Sequence, residues 1–293
     1  MTTESAGHRI DLDNVSQEFH ARGTTSGFMT AVDGVSFTLT SEAAQVVSLV
    51  GQSGSGKSTI ARIILGLQKP SAGEVTYDGK DIYRLSRSGS NDYRRQVQPV
   101  FQDPYAIFNP VYRVDRVLWK AAHKFGVANS RAAAEERIEE SLTAVRLDPK
   151  QVLGRYPHQL SGGQRQRIML ARVHLLRPAF IIADEPVSML DAQVRKSFLD
   201  ILLDFGEKYR MTTLFITHDL STVSYLGGEM MVITNGKVVE SGSVHTVMAE
   251  PSHPYTRLLL DSVPRPDPDQ RWTDRITVDD KGDQILIDQP LID

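Results

Sequence analysis

The sequence predicts an α/β fold built on a mostly parallel sheet. Four short runs are apolar, rich in β-branched residues and bounded by turn or capping residues, which is typical of buried strands. These runs are Val46–Val50, Phe180–Ala183, Leu214–Thr217 and Met230–Ile233. Apolar residues at helical spacing lie between them, as at Ile138, Leu142 and Val145. Strands that are apolar throughout and alternate with helices favour a parallel sheet covered on both faces.

The composition limits the class of protein. The 293 residues are 40% hydrophobic and 24% charged, which supports a sizeable core and excludes intrinsic disorder for the whole chain. Lys and Arg number 33 against 36 Asp and Glu, so the chain lacks the basic surplus of a nucleic-acid binder. Without cysteine, disulfides, thiolate metal sites and cysteine-held iron–sulfur clusters are excluded.

The same sequence shows no segment that would carry the chain into a membrane. No apolar run approaches the ~20 residues that span a bilayer, and the polar N-terminus lacks the features of a secretory signal. We therefore expect a cytoplasmic chain that is held at a membrane only by other chains.

Two segments interrupt or follow the α/β pattern. Residues from about 103 to 172 lack a buried-strand candidate and predict a helical subdomain inserted into a main domain that covers residues 1–262. Residues 263–293 begin with several prolines and form a C-terminal extension, in which a β-hairpin is plausible. The candidate strands and turn of this hairpin are Arg275–Val278, Gln284–Ile287 and Asp280–Asp283.

A glycine-rich loop follows the first buried strand directly. It fits G-x-x-x-x-G-K-[ST] and consists of Gly51, Gln52, Ser53, Gly54, Ser55, Gly56, Lys57 and Ser58. Such a loop curls so that its N–H groups converge on an anion, and the helix that follows adds its positive end. Lys57 would then reach the β- and γ-phosphates and Ser58 would bind Mg²⁺. The alternative is a turn that binds nothing, and the motif alone indicates only a nucleoside triphosphate.

The second buried strand ends in two carboxylates. Asp184 at a rigid strand end can meet Mg²⁺, directly or through water. Glu185 is then placed to take a proton from an attacking water. The alternative is an ordinary acidic exit from a strand into a surface loop.

A second candidate anion site opens a predicted amphipathic helix. It consists of Leu160, Ser161, Gly162, Gly163 and Gln164, with Ser161 as the N-cap. A serine hydroxyl, glycine amides and a helix N-terminus together favour an anion. One chain would thus carry two half-sites for phosphate, which makes sense if two chains face each other and each completes the other's site.

With these motifs the sequence resembles the ATP-binding subunits of ABC transporters over nearly its whole length. The resemblance implies a P-loop cassette with a RecA-like core, a helical subdomain and a small C-terminal extension. It implies that Gln102 links Mg²⁺ to the helical subdomain, that Ser188–Asp191 is a dimer-contact loop and that His218 senses the γ-phosphate. It further implies an aromatic stacked on adenine, for which Phe19 is the candidate and Phe28 its rival.

The mechanism that this resemblance implies is hydrolysis of ATP·Mg²⁺ in a closed dimer. The nucleotide would lie between Phe19, the loop Gly51–Thr59 and Asp184. Ser161, Gly162, Gly163, Gln164 and Asp191 would act at the dimer interface. The catalytic residues would be Glu185 as base, with Gln102 and His218 positioning water and phosphate.

Further stretches resemble the oligopeptide, dipeptide and nickel importers, in particular the second of their two ATPases. These stretches are Ala31–Phe37, Tyr156–Leu160, Glu185–Ser188 and His253–Thr256. The resemblance implies a second, non-identical ATPase subunit, two membrane permeases and an extracytoplasmic binding protein, with this chain peripheral on the cytoplasmic face. The transported substrate stays open between peptides, nickel complexes and oligosaccharides.

Three features depart from that group, and three other functions stay open. Met189 replaces an alanine in the dimer-contact loop, Glu42–Gln45 lacks a usual glycine, and Arg172–His174 replaces a run of small residues. One alternative is the ATPase of a soluble complex such as a phosphonate-degrading lyase. Chromosome maintenance is disfavoured by the absence of long heptad repeats, and a purely regulatory nucleotide binder by the intact acidic pair and histidine.

Overall fold

A computed structural model describes residues 7–20, 27–42, 45–103, 108–262, 274–278 and 284–288. The strands are β1 Arg9–His20, β2 Phe28–Thr40, β3 Val46–Val50, β4 Ala72–Tyr77, β5 Lys80–Asp81, β6 Val97–Phe101, β7 Phe180–Asp184, β8 Thr212–Thr217, β9 Glu229–Thr234, β10 Lys237–Ser243, β11 Asp274–Val278 and β12 Gln284–Asp288. The helices are α1 Lys57–Ile64, α2 Arg87–Gln96, α3 Arg116–Lys124, α4 Arg131–Ala144, α5 Pro149–Val152, α6 Gly162–Leu176, α7 Ala192–Tyr209, α8 Leu220–Leu226, α9 Val244–Ala249 and α10 Pro254–Asp261. Within these described ranges, no helix is both long and apolar enough to cross a bilayer.

The larger sheet has six strands in the order β10-β9-β3-β8-β7-β6. Its β3, β6, β7, β8 and β9 pair in parallel, and only β10 runs antiparallel, beside β9. The four predicted strands are all in this sheet, so the prediction of a mostly parallel sheet is confirmed. Their apolar side chains are buried on both faces, as the near-continuous apolarity requires.

Helices α3 to α6 lie between β6 and β7 in the chain and form the helical insertion. The apolar periodicity that predicts α4 corresponds to its packing, since Ile138, Leu142 and Val145 are all fully buried. They share one hydrophobic cluster with Ile168 of α6 and with Phe198 of α7. The insertion therefore packs onto the sheet through α6 and α7.

A second sheet, in the order β2-β1-β4-β5, is antiparallel and is not predicted from the sequence. Irregularities in the pairing of β1 with β2 break the strict alternation of buried and exposed residues that would reveal these strands. Strand β6 is also missed, because it contains Gln98 and Pro99. A proline is compatible with its position at the edge of the parallel sheet.

In the C-terminal extension, β11 and β12 pair antiparallel, from Asp274 opposite Asp288 to Val278 opposite Gln284. They lie where the sequence predicts two strands. The predicted turn at 280–283 and the proline-rich start of the extension lie outside the described residues.

Candidate nucleotide site

The parallel sheet brings the separate motifs to one edge. Val50, the last residue of β3, is opposite Thr217 of β8, and Asp184 of β7 is opposite Ile216 of the same strand. The residues that follow these strands therefore emerge side by side. They are the glycine-rich loop from Gly51, the acidic residue Glu185 and the histidine His218.

The glycine-rich loop depends on glycine at two positions where the chain passes close to backbone. A Cβ at Gly51 would lie 2.1 Å from the carbonyl oxygen of Ile233, and one at Gly56 would lie 2.3 Å from that of Ala31. Gly56 also has φ +104°, a conformation that side chains disfavour. The loop is thus held between β9 and β2, while Gln52, Ser53 and Gly54 are exposed at its top.

Lys57 lies inside this loop and is only 5% exposed. Its ammonium donates hydrogen bonds to the carbonyl oxygens of Gly51, at 2.6 Å, and Gln52, at 2.7 Å. Burial lowers the pKa of Lys57, and the charges of Glu185 and Asp184 oppose that shift. The cation is therefore held inside the loop by the carbonyl groups of its first two residues, where it can neutralise a bound phosphate.

Asp184 and Ser58 face each other across the start of α1. The Ser58 hydroxyl donates to Oδ1 of Asp184 at 3.1 Å. Burial raises the pKa of Asp184, while the hydrogen bond from Ser58 lowers it. These hard oxygen donors fit Mg²⁺, which is usually held by one or two protein ligands together with phosphate oxygens. Among the described residues, no group of three or more His, Asp or Glu side chains is placed to hold a metal ion.

Glu185 and His218 form a pair at the open edge of the sheet. Oε1 of Glu185 lies 2.8 Å from Nδ1 of His218, and the imidazole is 55% exposed while the carboxylate is 15% exposed. The backbone of Glu185 is left-handed, with φ +49°, and its N–H donates to the carbonyl of Ile216. Strained conformations of this kind at a non-glycine residue are frequent at functional sites.

Gln102 follows β6, whose last residue Phe101 is opposite Asp184. Its side chain is exposed beside the acidic edge of the sheet. Gln166 of α6, for which the sequence predicts no role, connects the end of β6 with the segment that follows β7. Its Nε2 donates to the carbonyl oxygens of Phe101, at 3.2 Å, and Pro186, at 2.8 Å. The helical insertion is thereby fastened to the segments that carry Gln102 and Glu185.

The second candidate anion site lies at the start of α6, as predicted. Ser161 is the N-cap, its hydroxyl accepts the N–H of Gln164 at 3.2 Å, and the side chain of Gln164 accepts the N–H of Ser161 at 2.9 Å. Gly163 packs against α7, since a Cβ there would lie 2.5 Å from Cγ1 of Val194. Ser161 is exposed, so its turn of helix is open to a second molecule.

The proposed dimer-contact loop leads into α7. Asp191 is the N-cap of this helix, and its Oδ1 accepts the N–H of Val194 at 2.9 Å. Met189 is 61% exposed, so the larger side chain that departs from the family pattern is presented at the surface. Arg195 of α7 donates to Oδ2 of Asp219 at 2.8 Å and so joins this helix to the residue after His218.

The two candidate adenine-stacking aromatics lie on opposite faces of the β1–β2 pair. Phe19 is opposite Met29, and His20 is opposite Phe28. Consecutive residues of a strand point to opposite faces, so the two phenylalanines cannot share one face. The Phe28 ring packs at a tilt against His20, with 4.5 Å between ring centroids.

The β1–β2 pairing is irregular where these two strands approach the loop. Gln17, two residues before Phe19 on β1, is buried opposite Val32. Val32 lies against the loop, since its Cγ2 would be 3.4 Å from a Cβ at Gly56. Because the pairing shifts between Gln17 and Glu18, counting along β1 leads from this face to Phe19 whereas counting along β2 leads from Val32 to Phe28, and both phenylalanines stay candidates for the aromatic beside the nucleotide.

In the run Arg172–His174, which departs from the family pattern, each of the two polar side chains makes one hydrogen bond, while Nε of Arg172 and Nε2 of His174 are buried without a partner. Arg172 donates to the carbonyl oxygen of Pro99 at 2.9 Å, and burial lowers its pKa to about 10. His174 is 1% exposed, and its Nδ1 lies 3.0 Å from the hydroxyl of Ser141. Both side chains stabilise the packing of α6, the first against β6 and the second against α4.

Comparisons with known proteins agree with this geometry. A family model described as "ABC transporter" matches residues 32–188, and one described as "Oligopeptide/dipeptide transporter, C-terminal region" matches residues 239–283. A Brucella ovis protein whose name describes a peptide import ATP-binding protein is 41% identical over 248 residues, covering 85% of this chain and 77% of the relative. The oligopeptide transport ATP-binding protein OppF of Streptococcus pyogenes serotype M1 is 43% identical over 225 residues, covering 76% and 73%.

A solved structure shows the same fold. It is the dimeric post-hydrolysis state of the ATP-binding cassette MJ0796 bound to ADP and Pi, with a TM-score of 0.69 and 27% identity over 80% of this chain and 98% of that chain. The chain belongs to the ABC transporter family, as the sequence predicts. Within that family it is an ATP-binding cassette that hydrolyses ATP to ADP and phosphate.

Proposed function

We propose that this chain is the ATP-hydrolysing subunit of a peptide importer and works as half of an ATP-sandwich dimer with a second, non-identical ATPase. The match of residues 239–283 to the C-terminal region of oligopeptide and dipeptide transporters supports this proposal, as do the names of the relatives. The importer would include two membrane permeases and an extracytoplasmic binding protein, with this chain on the cytoplasmic face. The peptide transport systems of the relatives favour it over a soluble complex.

In the proposed site, ATP stacks on Phe19 and places its phosphates in the loop Gly51–Thr59. Lys57 and the loop N–H groups neutralise the phosphate charge. Ser58, Gln102 and Asp184 would hold Mg²⁺, which supplies further charge neutralisation when it is bound.

The observation that carries the proposed chemistry is the pair of Glu185 and His218 beside the phosphate loop. Glu185 accepts a proton from the water that attacks the γ-phosphate, and His218 orients the carboxylate through their 2.8 Å contact. Gln102 follows β6, whose last residue is opposite Asp184, and in the proposed site it positions the water. Ser161 is exposed at the start of α6, and in the proposed dimer it acts on the partner's nucleotide, together with Gly162, Gly163 and Gln164.

A groove between the parallel sheet and the helical insertion is the proposed permease contact. It encloses about 390 Å³. Its apolar wall includes Leu65, Phe101, Val117 and Phe125, and its basic side chains are Arg94, Lys120, Lys124 and Arg172. Such a groove fits a short amphipathic segment that carries a carboxylate. Phe101 is in the wall and directly precedes Gln102, so a shift of the segment would reach the ATP site.

The test is to purify a tagged Glu185→Gln variant with ATP and Mg²⁺ from detergent-solubilised membranes of the native host. The slow hydrolysis of this variant should retain the closed complex. We expect mass spectrometry to identify two permeases and a second ATPase, with Lys57→Ala as the control that fails to close. Recovery of soluble enzymes alone would contradict the importer and leave the ATPase chemistry standing.

A further inference from the structure

One contact joins the C-terminal part of the chain to the phosphate loop. The backbone N–H of Gln52 donates to the hydroxyl of Tyr255 at 3.0 Å, across 203 residues. Tyr255 belongs to the stretch His253–Thr256, which resembles the importer group and for which the sequence predicts no role in the ATP site. The structure gives this tyrosine a place at the base of the ATP loop.

The ring of Tyr255 is held by packing at the end of β3. It contacts a buried cluster that includes Val50, the residue before the loop, and Leu220 of α8. A hydroxyl on a packed aromatic ring has little freedom, so its hydrogen bond costs little ordering entropy. The Gln52 end of this hydrogen bond is therefore fixed relative to the sheet.

Helix α10, which carries Tyr255, is in turn fastened to the edge of the same sheet. Glu240 of β10 accepts hydrogen bonds from the N–H groups of Ser252, at 2.7 Å, and His253, at 3.1 Å. The ring nitrogen Nδ1 of His253 accepts the N–H of Tyr255 at 3.1 Å. The turn that begins α10 is thus fixed directly before the tyrosine.

The register of the sheet aligns Glu240, which holds the start of α10, with the residue before the loop. Glu240 is opposite Val232 of β9, and Val232 is opposite Val50 of β3. Three neighbouring strands thus connect the anchor of α10 to the residue before Gly51.

We propose that Tyr255 is a positioning residue of the ATP site, which fixes the entry of the phosphate loop and makes ATP affinity depend on the C-terminal segment. This inference rests on the proposed placement of ATP in the Gly51–Thr59 loop.

The hydroxyl acts through the backbone of Gln52, so its loss should weaken binding and spare the chemical step. By holding the N–H of the second loop residue, Tyr255 fixes the point from which the loop turns toward the phosphates. Tyr255→Phe keeps the ring and its packing. We expect the Kd for ATP to rise about three- to tenfold, the effect of one net hydrogen bond. In the assembled transporter, the KM for ATP should rise by a similar factor and kcat should stay within about twofold.

The experiment compares four full-length proteins by calorimetric titration with ATP and Mg²⁺: wild type, Tyr255→Phe, Tyr225→Phe and Lys57→Ala. Tyr225→Phe is the matched control, since its hydroxyl bonds Asp200 on the surface of α7. We expect weaker binding for Tyr255→Phe, wild-type affinity for the control and no measurable binding for Lys57→Ala.

Equal Kd for Tyr255→Phe and wild type, with no ATP binding by Lys57→Ala, would overturn the role of Tyr255 alone. Wild-type affinity in Lys57→Ala would instead overturn the placement of ATP in the loop. Because the melting temperature is followed in parallel, a loss of folding is separated from a loss of affinity.

Discussion

The two candidate anion sites of this chain differ in how they are supported. The loop Gly51–Thr59 is held from several sides, by β9 at Gly51, by β2 at Gly56 and by α10 at Gln52. The turn at Ser161 is satisfied mostly within itself, since Ser161 and Gln164 cap each other. This difference agrees with the proposal that the loop receives the phosphates within one chain, whereas the exposed turn at Ser161 meets the nucleotide of a second chain.

The largest expected effect tests whether Glu185, beside the loop Gly51–Thr59, is the base in ATP hydrolysis. Glu185→Gln keeps the size of the side chain but removes the base, so we expect hydrolysis to fall by about 10²–10⁴ while ATP affinity is retained. The measurement is phosphate release by the assembled complex, together with ATP titration. Glu140→Gln, on the exposed face of α4 and paired with Arg177, is the matched control and should hydrolyse normally. Wild-type turnover in Glu185→Gln would remove Glu185 as the base.

The second prediction tests the tight support of the loop. In Gly56→Ala the new Cβ meets the carbonyl oxygen of Ala31 at 2.3 Å in a left-handed conformation, so we expect a loss on the order of 3 kcal/mol in the free energy of unfolding and loss of ATP binding. Gly54→Ala is the matched control. Gly54 also has positive φ, +84°, but its Cβ would meet nothing within 4 Å, so only about 1 kcal/mol of strain should result. Equal urea midpoints for the two variants would contradict the proposed clash.

The third prediction concerns the packing of the helical insertion at acid pH. Burial lowers the pKa of His174 to about 4, and the neighbouring cation of Arg177 adds to the shift while Glu140 opposes it. The unfolded chain takes up this proton at an ordinary pKa of about 6.5, so it binds more protons than the folded chain between pH 6.5 and 4. The free energy of unfolding therefore falls as pH drops through this window, by on the order of 3 kcal/mol.

Substitution of the histidine isolates this contribution. His174→Gln can still bond Ser141 but does not titrate, so urea denaturation from pH 7 to pH 4 should give it a flatter curve than wild type. Parallel curves for the two proteins would show that the acid sensitivity lies elsewhere in the chain.

The smallest expected effect separates capping from anion binding. Ser161 and Ser130 are both serine N-caps whose hydroxyls accept an N–H three residues on at 3.2 Å, at α6 and α4 respectively. Replacement of either by alanine should cost about 1 kcal/mol of stability. Only Ser161→Ala should also lower ATP hydrolysis by the assembled dimer, while ATP binding to the isolated chain stays unchanged. Equal rates of ATP hydrolysis by the two variants would show that Ser161 only caps α6 and takes no part in the ATP site.

Much of the site could be predicted because its parts are short and local. The loop, the acidic pair after β7 and the turn at Ser161 each consist of consecutive residues, and a strand or helix adjoins each of them. The rest could not be predicted. Gln166 reaches backbone 65 and 20 residues away, and Tyr255 reaches Gln52 across 203 residues. No local spacing marks such contacts, and Pro99 in β6 argued against a strand whose edge position only the sheet order reveals.

The sequence by itself therefore determined the family, the parallel sheet and the candidate residues of a nucleotide site, because apolar periodicity and glycine-rich loop motifs consist of residues that are close together in the chain. Only the tertiary structure decided which strand ends lie side by side, that Phe19 and Phe28 lie on opposite faces of the β1–β2 pair, and how α6 and α10 contact the segments around the loop. These outcomes depend on strand order and register, which bring together residues that are distant in the chain.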